Sequence, residues 1–67
     1  MEMISVESSA ISHIGYDSNT KQMRIIFKQS QTYDYCNVPQ DVFYAFLNAS
    51  SIGVYHAKYI RNQYVCS

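Results

Sequence analysis

Charge is scarce in this chain and neither sign prevails: five basic residues face five acidic ones, for a net charge of zero. Affinity for nucleic-acid backbones comes largely from neutralising phosphates, so this balance argues against long duplexes or RNA tracts as partners. A small anion stays open, because it needs only a few well-placed cations. Cysteine is nearly absent as well. Cys36 and Cys66 stand far apart, whereas small secreted domains carry a framework of several. Both thiols are expected to be reduced, with one Cys36–Cys66 bridge as the open alternative. No stretch approaches the ~20 apolar residues of a membrane-spanning helix. The opening Met1-Glu2-Met3, an acid with no apolar run after it, does not read as a secretory signal. The expected compartment is the cytoplasm. Repeats, linkers and low-complexity runs are lacking too.

Chemistry is equally thin. His13 and His56 with two cysteines could supply metal ligands by count, but no CxxC or HxxxH spacing groups them, and no metal site is expected. Hydroxyls abound, yet no nucleophile sits beside a base in a recognisable local pattern. Asp17 and Asp41 fall where turns and helix starts explain them. The chain reads as a non-enzyme without a cofactor.

What is present is apolar and aromatic. Hydrophobic residues make up 48% of the 67, among them seven Tyr and three Phe. A domain of this size hides only about 60% of its unfolded surface. Aromatic side chains bury roughly 150–250 Å² each and can build a core from few residues. Any surplus favours self-association, for which a symmetric homo-oligomer is the expected form. The whole chain, 1–67, reads as one domain, with 1–6 as a loose arm.

Local pattern places the elements. Ala10 to Tyr16 reads as a strand, with Ile14 and Tyr16 on one face and Ile11 and His13 on the other. Asp17-Ser18-Asn19-Thr20 is a cluster of turn formers. Lys21 to Lys28 alternates, Met23, Ile25 and Phe27 against Gln22, Arg24, Ile26 and Lys28, as a half-buried strand does. After Gln29-Ser30-Gln31 a third strand covers Thr32–Asn37. Pro39 opens a helix with Asp41 in its first turn. Val42, Phe43, Phe46 and Leu47 form the stripe that covers the sheet. Asn48-Ala49-Ser50-Ser51 breaks that helix, and a second runs from about Gly53 towards Tyr64. The expected fold class is α+β: a three-stranded antiparallel meander followed by two helices packed on the sheet.

Candidate binding residues follow from this frame. Tyr33 and Tyr35, two apart on a strand, share a face, either as a platform for bases or as core with hydroxyls bonded at the edge. Arg24 and Arg61 are the guanidinium candidates for gripping a phosphate or carboxylate in bidentate fashion. Ser9 and Ser51, beside Ser8 and Gly53, can cradle an anion or simply cap. Tyr55 and His56 lie on the second helix near Arg61, His56 either on the helix surface or donating to a ligand.

Taken in order, Ser8-Ser9-Ala10-Ile11, Ile14-Gly15-Tyr16-Asp17, Phe27, Tyr33-Asp34-Tyr35, Val38-Pro39 and then Ala49, Ser51, Gly53, Tyr55, Ile60 and Arg61 span nearly the whole chain. This ordered set resembles the KTSC family, a small domain at the C-terminus of some lysyl-tRNA synthetases that also stands alone in bacterial and phage proteins. Ser30 replaces the family's usual glycine in the second hairpin, and His56-Ala57 replaces an aromatic and an Asn, so the ligand is expected to differ where those positions touch it. The synthetase context of the family suggests RNA binding. The resemblance, together with the same-side tyrosines and the few isolated arginines on a neutral body, points to a non-catalytic binding module for a nucleotide-type ligand. One form is a stand-alone phage protein that sequesters a small nucleotide immune signal in the host cytoplasm, an anti-defence role. Another is a binder of short single-stranded RNA. The reading from a different class is a protein–protein adaptor, since Tyr and Arg are enriched at interface hot spots.

Overall fold

The turn at Asp17–Lys21 shows how the chain is set. The Asp17 side chain accepts from the Asn19 N–H (2.9 Å), and its carbonyl accepts from the Lys21 N–H (2.7 Å), while Lys21 itself takes φ 60°. This tight reversal joins β2 (Ile11–Asp17) to β3 (Gln22–Phe27) in the computed structural model, which describes residues 1–66. The second hairpin turns at Ser30, where φ is 71° and the Ser30 N–H donates to the Phe27 carbonyl (3.0 Å). A left-handed residue with a Cβ costs roughly 1–2 kcal/mol, yet the turn forms and leads into β4 (Thr32–Tyr35).

The sheet has four strands, not three, in the order β1-β2-β3-β4 and antiparallel throughout. The extra one is β1 (Glu2–Ser5), in the segment expected to be a loose arm; Met3 pairs with Gly15 and Ile4 with Ile14. Its side chains remain mostly exposed, so hydrophobic alternation does not announce it. Gly15 admits it: a Cβ there would run into Met3 Sδ and sit 3.1 Å from the Glu2 carbonyl oxygen.

A second difference lies in β2. Ile11 and Ile14 are both fully buried, although strict alternation puts them on opposite faces. The register shifts between Ile11 and His13; a bulge of this kind adds one residue and returns both isoleucines to the core side. Met23, Ile25 and Phe27 face the core as expected.

Helix α1 (Gln40–Leu47) covers that face, with Phe43 and Phe46 buried and Val42 and Leu47 packed beside them. Phe43 stacks on Tyr16 at 4.6 Å, and the Tyr16 hydroxyl donates to the Val38 carbonyl (2.6 Å). The second helix is shorter and less regular than expected. Helix α2 (Ile52–Tyr55), capped by Ser51 Oγ, passes directly into a π-helical segment (His56–Ile60). Arg61 then turns extended and Asn62 takes φ 66°, so the helix ends well short of Tyr64.

The remaining chain returns to the sheet. The Cys36 N–H donates to the Tyr64 carbonyl (2.8 Å), and Val65 makes an antiparallel bridge to Tyr35. Cys36 and Cys66 are joined in a disulfide, which corrects the expectation of two reduced thiols. Their separation of 30 residues hides the pairing from sequence; the return of the tail alongside β4 creates it.

Candidate functional site

Tyr33 and Tyr35 leave β4 on the side facing the helices, opposite Ile25 and Met23 respectively. Edge position gives them different fates. Tyr35 is buried and its hydroxyl meets His56 Nε2 at 2.9 Å. Tyr33 stays 48% exposed, resting edge-on against Phe27 at 5.5 Å. His56 begins the π-helical segment, with Phe27 edge-on at 5.3 Å and Phe46 behind it at 6.5 Å. The Arg61 N–H donates to the His56 carbonyl (2.8 Å). This widened turn sets the arginine one turn above the histidine; such insertions recur at functional sites.

These side chains bound a cleft of about 520 Å³, lined by Phe27, Tyr33, Tyr35, His56 and Arg61, with Asp34, Asn62 and Val65 at its margins. The floor is aromatic. Its polar groups are the Tyr35–His56 pair and an exposed guanidinium that no carboxylate pairs with among the described residues. Ligand sites are commonly mostly apolar, with a few convergent polar groups of this kind.

Electrostatics fix the protonation states. Burial raises the Tyr35 phenol above its ordinary value, so it stays a hydroxyl. Burial, and after it the Arg61 charge, push the His56 imidazole below its ordinary 6.5. At neutral pH the pair therefore carries no charge, and Arg61 alone supplies the positive field. The sign of the linkage follows: the unfolded chain takes up a proton near 6.5 that folded His56 still refuses. Stability from this group is complete above that value and is lost as pH falls from there through the folded value. The melting midpoint is expected to drop as pH falls below 6.5, and His56→Gln should flatten the drop. An equally steep profile in the variant would locate the proton uptake elsewhere.

Of the residues singled out in the sequence, Tyr33, Tyr35, His56 and Arg61 converge on this cleft. The others do not. Arg24 lies on the opposite face of the sheet and is engaged by Asp34, Nε to Oδ1 at 2.7 Å and Nη2 to Oδ2 at 3.3 Å. That hydrogen bond holds the Asp34 carboxyl below the usual range, and the guanidinium expected to clamp a ligand is spent on a cross-strand pair. Ser9 and Ser51 line a separate, shallow concavity with Ser8 and Gly53. There Ser51 caps α2, and Ser8 Oγ accepts from the Ala10 and Ile11 N–H groups, both at 3.2 Å. Tyr55 packs on Phe46 and Tyr59 as part of the core margin. Phe27, Asp34, Asn62 and Val65 also line the site, and sequence reasoning misses them as site residues. Alternation placed Phe27 on the correct face, but nothing signalled that it would abut Tyr33, or that the tail would return.

Comparison with known proteins bears on the whole arrangement. The KTSC domain model matches residues 7–64. The crystal structure of a KTSC domain protein from Yersinia pestis superposes with a TM-score of 0.93 at 32% identity, covering 98% of this chain and 93% of that one. An uncharacterised protein of Stutzerimonas stutzeri is 28% identical over 64 residues, 96% of this chain and 90% of its own.

Proposed function

The chain belongs to the KTSC domain family, and from that premise we propose that it is a non-catalytic module binding a nucleotide-type ligand in the cleft between β4 and the π-helical segment. The observation that carries this reading is the convergence of Tyr33, Tyr35, His56 and Arg61 on one concavity. A base lies on the exposed face of Tyr33, where stacking contributes ~1–3 kcal/mol. The neutral Tyr35–His56 pair supplies hydrogen bonds at the floor. Arg61 takes a phosphate through its two-donor fork. A cleft of this size suits one nucleotide-sized ligand better than an extended strand. Short single-stranded RNA therefore enters by a single base. The finer form of the proposal is a small protein that acts by sequestering a nucleotide signal.

The test is Arg61→Lys with a thermal-shift screen over nucleotides, cyclic dinucleotides and ADP-ribose derivatives. The variant is expected to keep the melting midpoint and to weaken binding by about 1–3 kcal/mol, because a point charge lacks the planar fork. A lowered midpoint with unchanged affinity makes Arg61 structural.

Exposed Tyr44, Val54 and Tyr59 favour a second reading, a protein–protein adaptor. The absorbance ratio at about 260 and 280 nm after denaturation separates the two: co-purified nucleotide raises it, and a clean protein spectrum favours the adaptor. The same exposed surface supports a homo-oligomer. Light scattering is expected to give a multiple of 7.8 kDa, and the monomer mass at all concentrations contradicts that.

A further inference from the structure

The candidate cleft has one wall that belongs neither to the sheet nor to a helix. Asn62 and Val65, on the tail beyond the π-helical segment, close the side next to Tyr35 and Arg61. Little holds that tail by itself. Val65 is 65% exposed, so its burial contributes little. Non-covalent ties among the described residues include the Gln63 N–H to Ile60 carbonyl bond, the Cys36 N–H to Tyr64 carbonyl bond, the Tyr35–Val65 bridge and the half-buried Tyr64 ring. The firm tie is the Cys36–Cys66 disulfide, which joins the end of β4 to the residue after Val65.

We infer that this disulfide gates the cleft: oxidised, it fixes the Asn62–Val65 wall beside Tyr35 and Arg61 and gives the ligand-competent shape; reduced, it frees the wall and weakens the site. The inference rests on the cleft being the ligand site, as proposed above. Cys36 and Cys66 are both only half-buried, so a small dithiol reaches the bridge. One dithiol thiolate attacks a bridge sulfur to form a mixed disulfide and expel the other cysteine as thiolate. The second dithiol sulfur then attacks the mixed disulfide, closing the reductant's own disulfide and expelling the remaining cysteine. Two electrons and two protons pass to Cys36 and Cys66, and the dithiol is oxidised. Reduction changes no group on the cleft floor. Its effect travels through the tail: Asn62 reverses the chain directly after Arg61, so freeing the tail also loosens the guanidinium.

The experiment compares oxidised and dithiothreitol-reduced protein below both melting midpoints, with Cys66→Ser as the permanently open form. Without ligand, amide NMR is the readout. Reduction is expected to bring the amides of 62–66 and Cys36 into fast hydrogen exchange and to shift Tyr35, His56 and Arg61. Ile14 and Ile25 should stay protected, showing that the fold persists. With adenosine monophosphate as probe, affinity is expected to fall at least tenfold on reduction. Cys66→Ser should match the reduced protein and ignore the reductant. Unchanged cleft resonances, or equal affinity in both states, overturn the gate. If the probe binds neither state, the nucleotide reading fails, and the amide data alone decide whether the bridge shapes the cleft.

Discussion

Phe46→Ala is expected to leave the domain largely unfolded. Phe46 is fully buried in the last turn of α1, against Tyr55 and behind His56. Truncating a core phenylalanine costs about 3–5 kcal/mol, because lost burial and an unfilled cavity add together. Domains are stable by only about 5–15 kcal/mol in total, and one of this size lies towards the low end. Circular dichroism with urea titration reads the outcome. A variant that melts cooperatively near the parent midpoint would show that α1 does not carry the core. Through His56 the same substitution also undermines the cleft floor, so any residual folded fraction should bind more weakly.

Loss of the disulfide ranks second. The bridge closes 30 residues, and in the chain-entropy account a loop of that length stabilises by about 3–4 kcal/mol. For so small a domain this corresponds to a midpoint lower by roughly 15–25 °C. Dithiothreitol and Cys66→Ser are each expected to produce that shift, and the two should not add. A midpoint insensitive to both would mean that the tail is held by its Tyr64 packing and backbone pairing instead.

The parts of the fold that follow from local pattern were legible in the sequence. Met23, Ile25 and Phe27 alternate because β3 lies in the interior of the sheet with one face covered, and the Phe43–Phe46 stripe marks α1 because that helix meets the core along one side. What escaped depends on partners distant in sequence. β1 is fixed by backbone pairing and by the space Gly15 leaves, neither of which writes an apolar period into residues 2–5. The bulge in β2 breaks the period that a strand reading assumes. The π-helical segment and the reversal at Asn62 set where Arg61 points, and spacing drawn from a regular helix misses both.

The site divides in the same way. Two tyrosines on one strand necessarily share a face, so Tyr33 and Tyr35 could be paired from the sequence, and Arg61 and His56 could be placed near each other. Arg24 could not be set aside, because its cross-strand partner Asp34 is known only once the register is known. Ser9 and Ser51 carry hydroxyls suited to an anion, but in the fold Ser51 caps α2 and the pair lies away from the aromatic cleft.

The central claim, a nucleotide-type ligand held between β4 and the π-helical segment, is tested most directly by amide NMR titration of the oxidised protein with mono-, cyclic di- and ADP-ribose nucleotides. Saturable shifts are predicted for at least one of them, largest at Tyr33, Tyr35, His56 and Arg61 and small around Ser9 and Ser51. Shifts confined to the serine concavity, or none with any nucleotide at millimolar concentration, would contradict it.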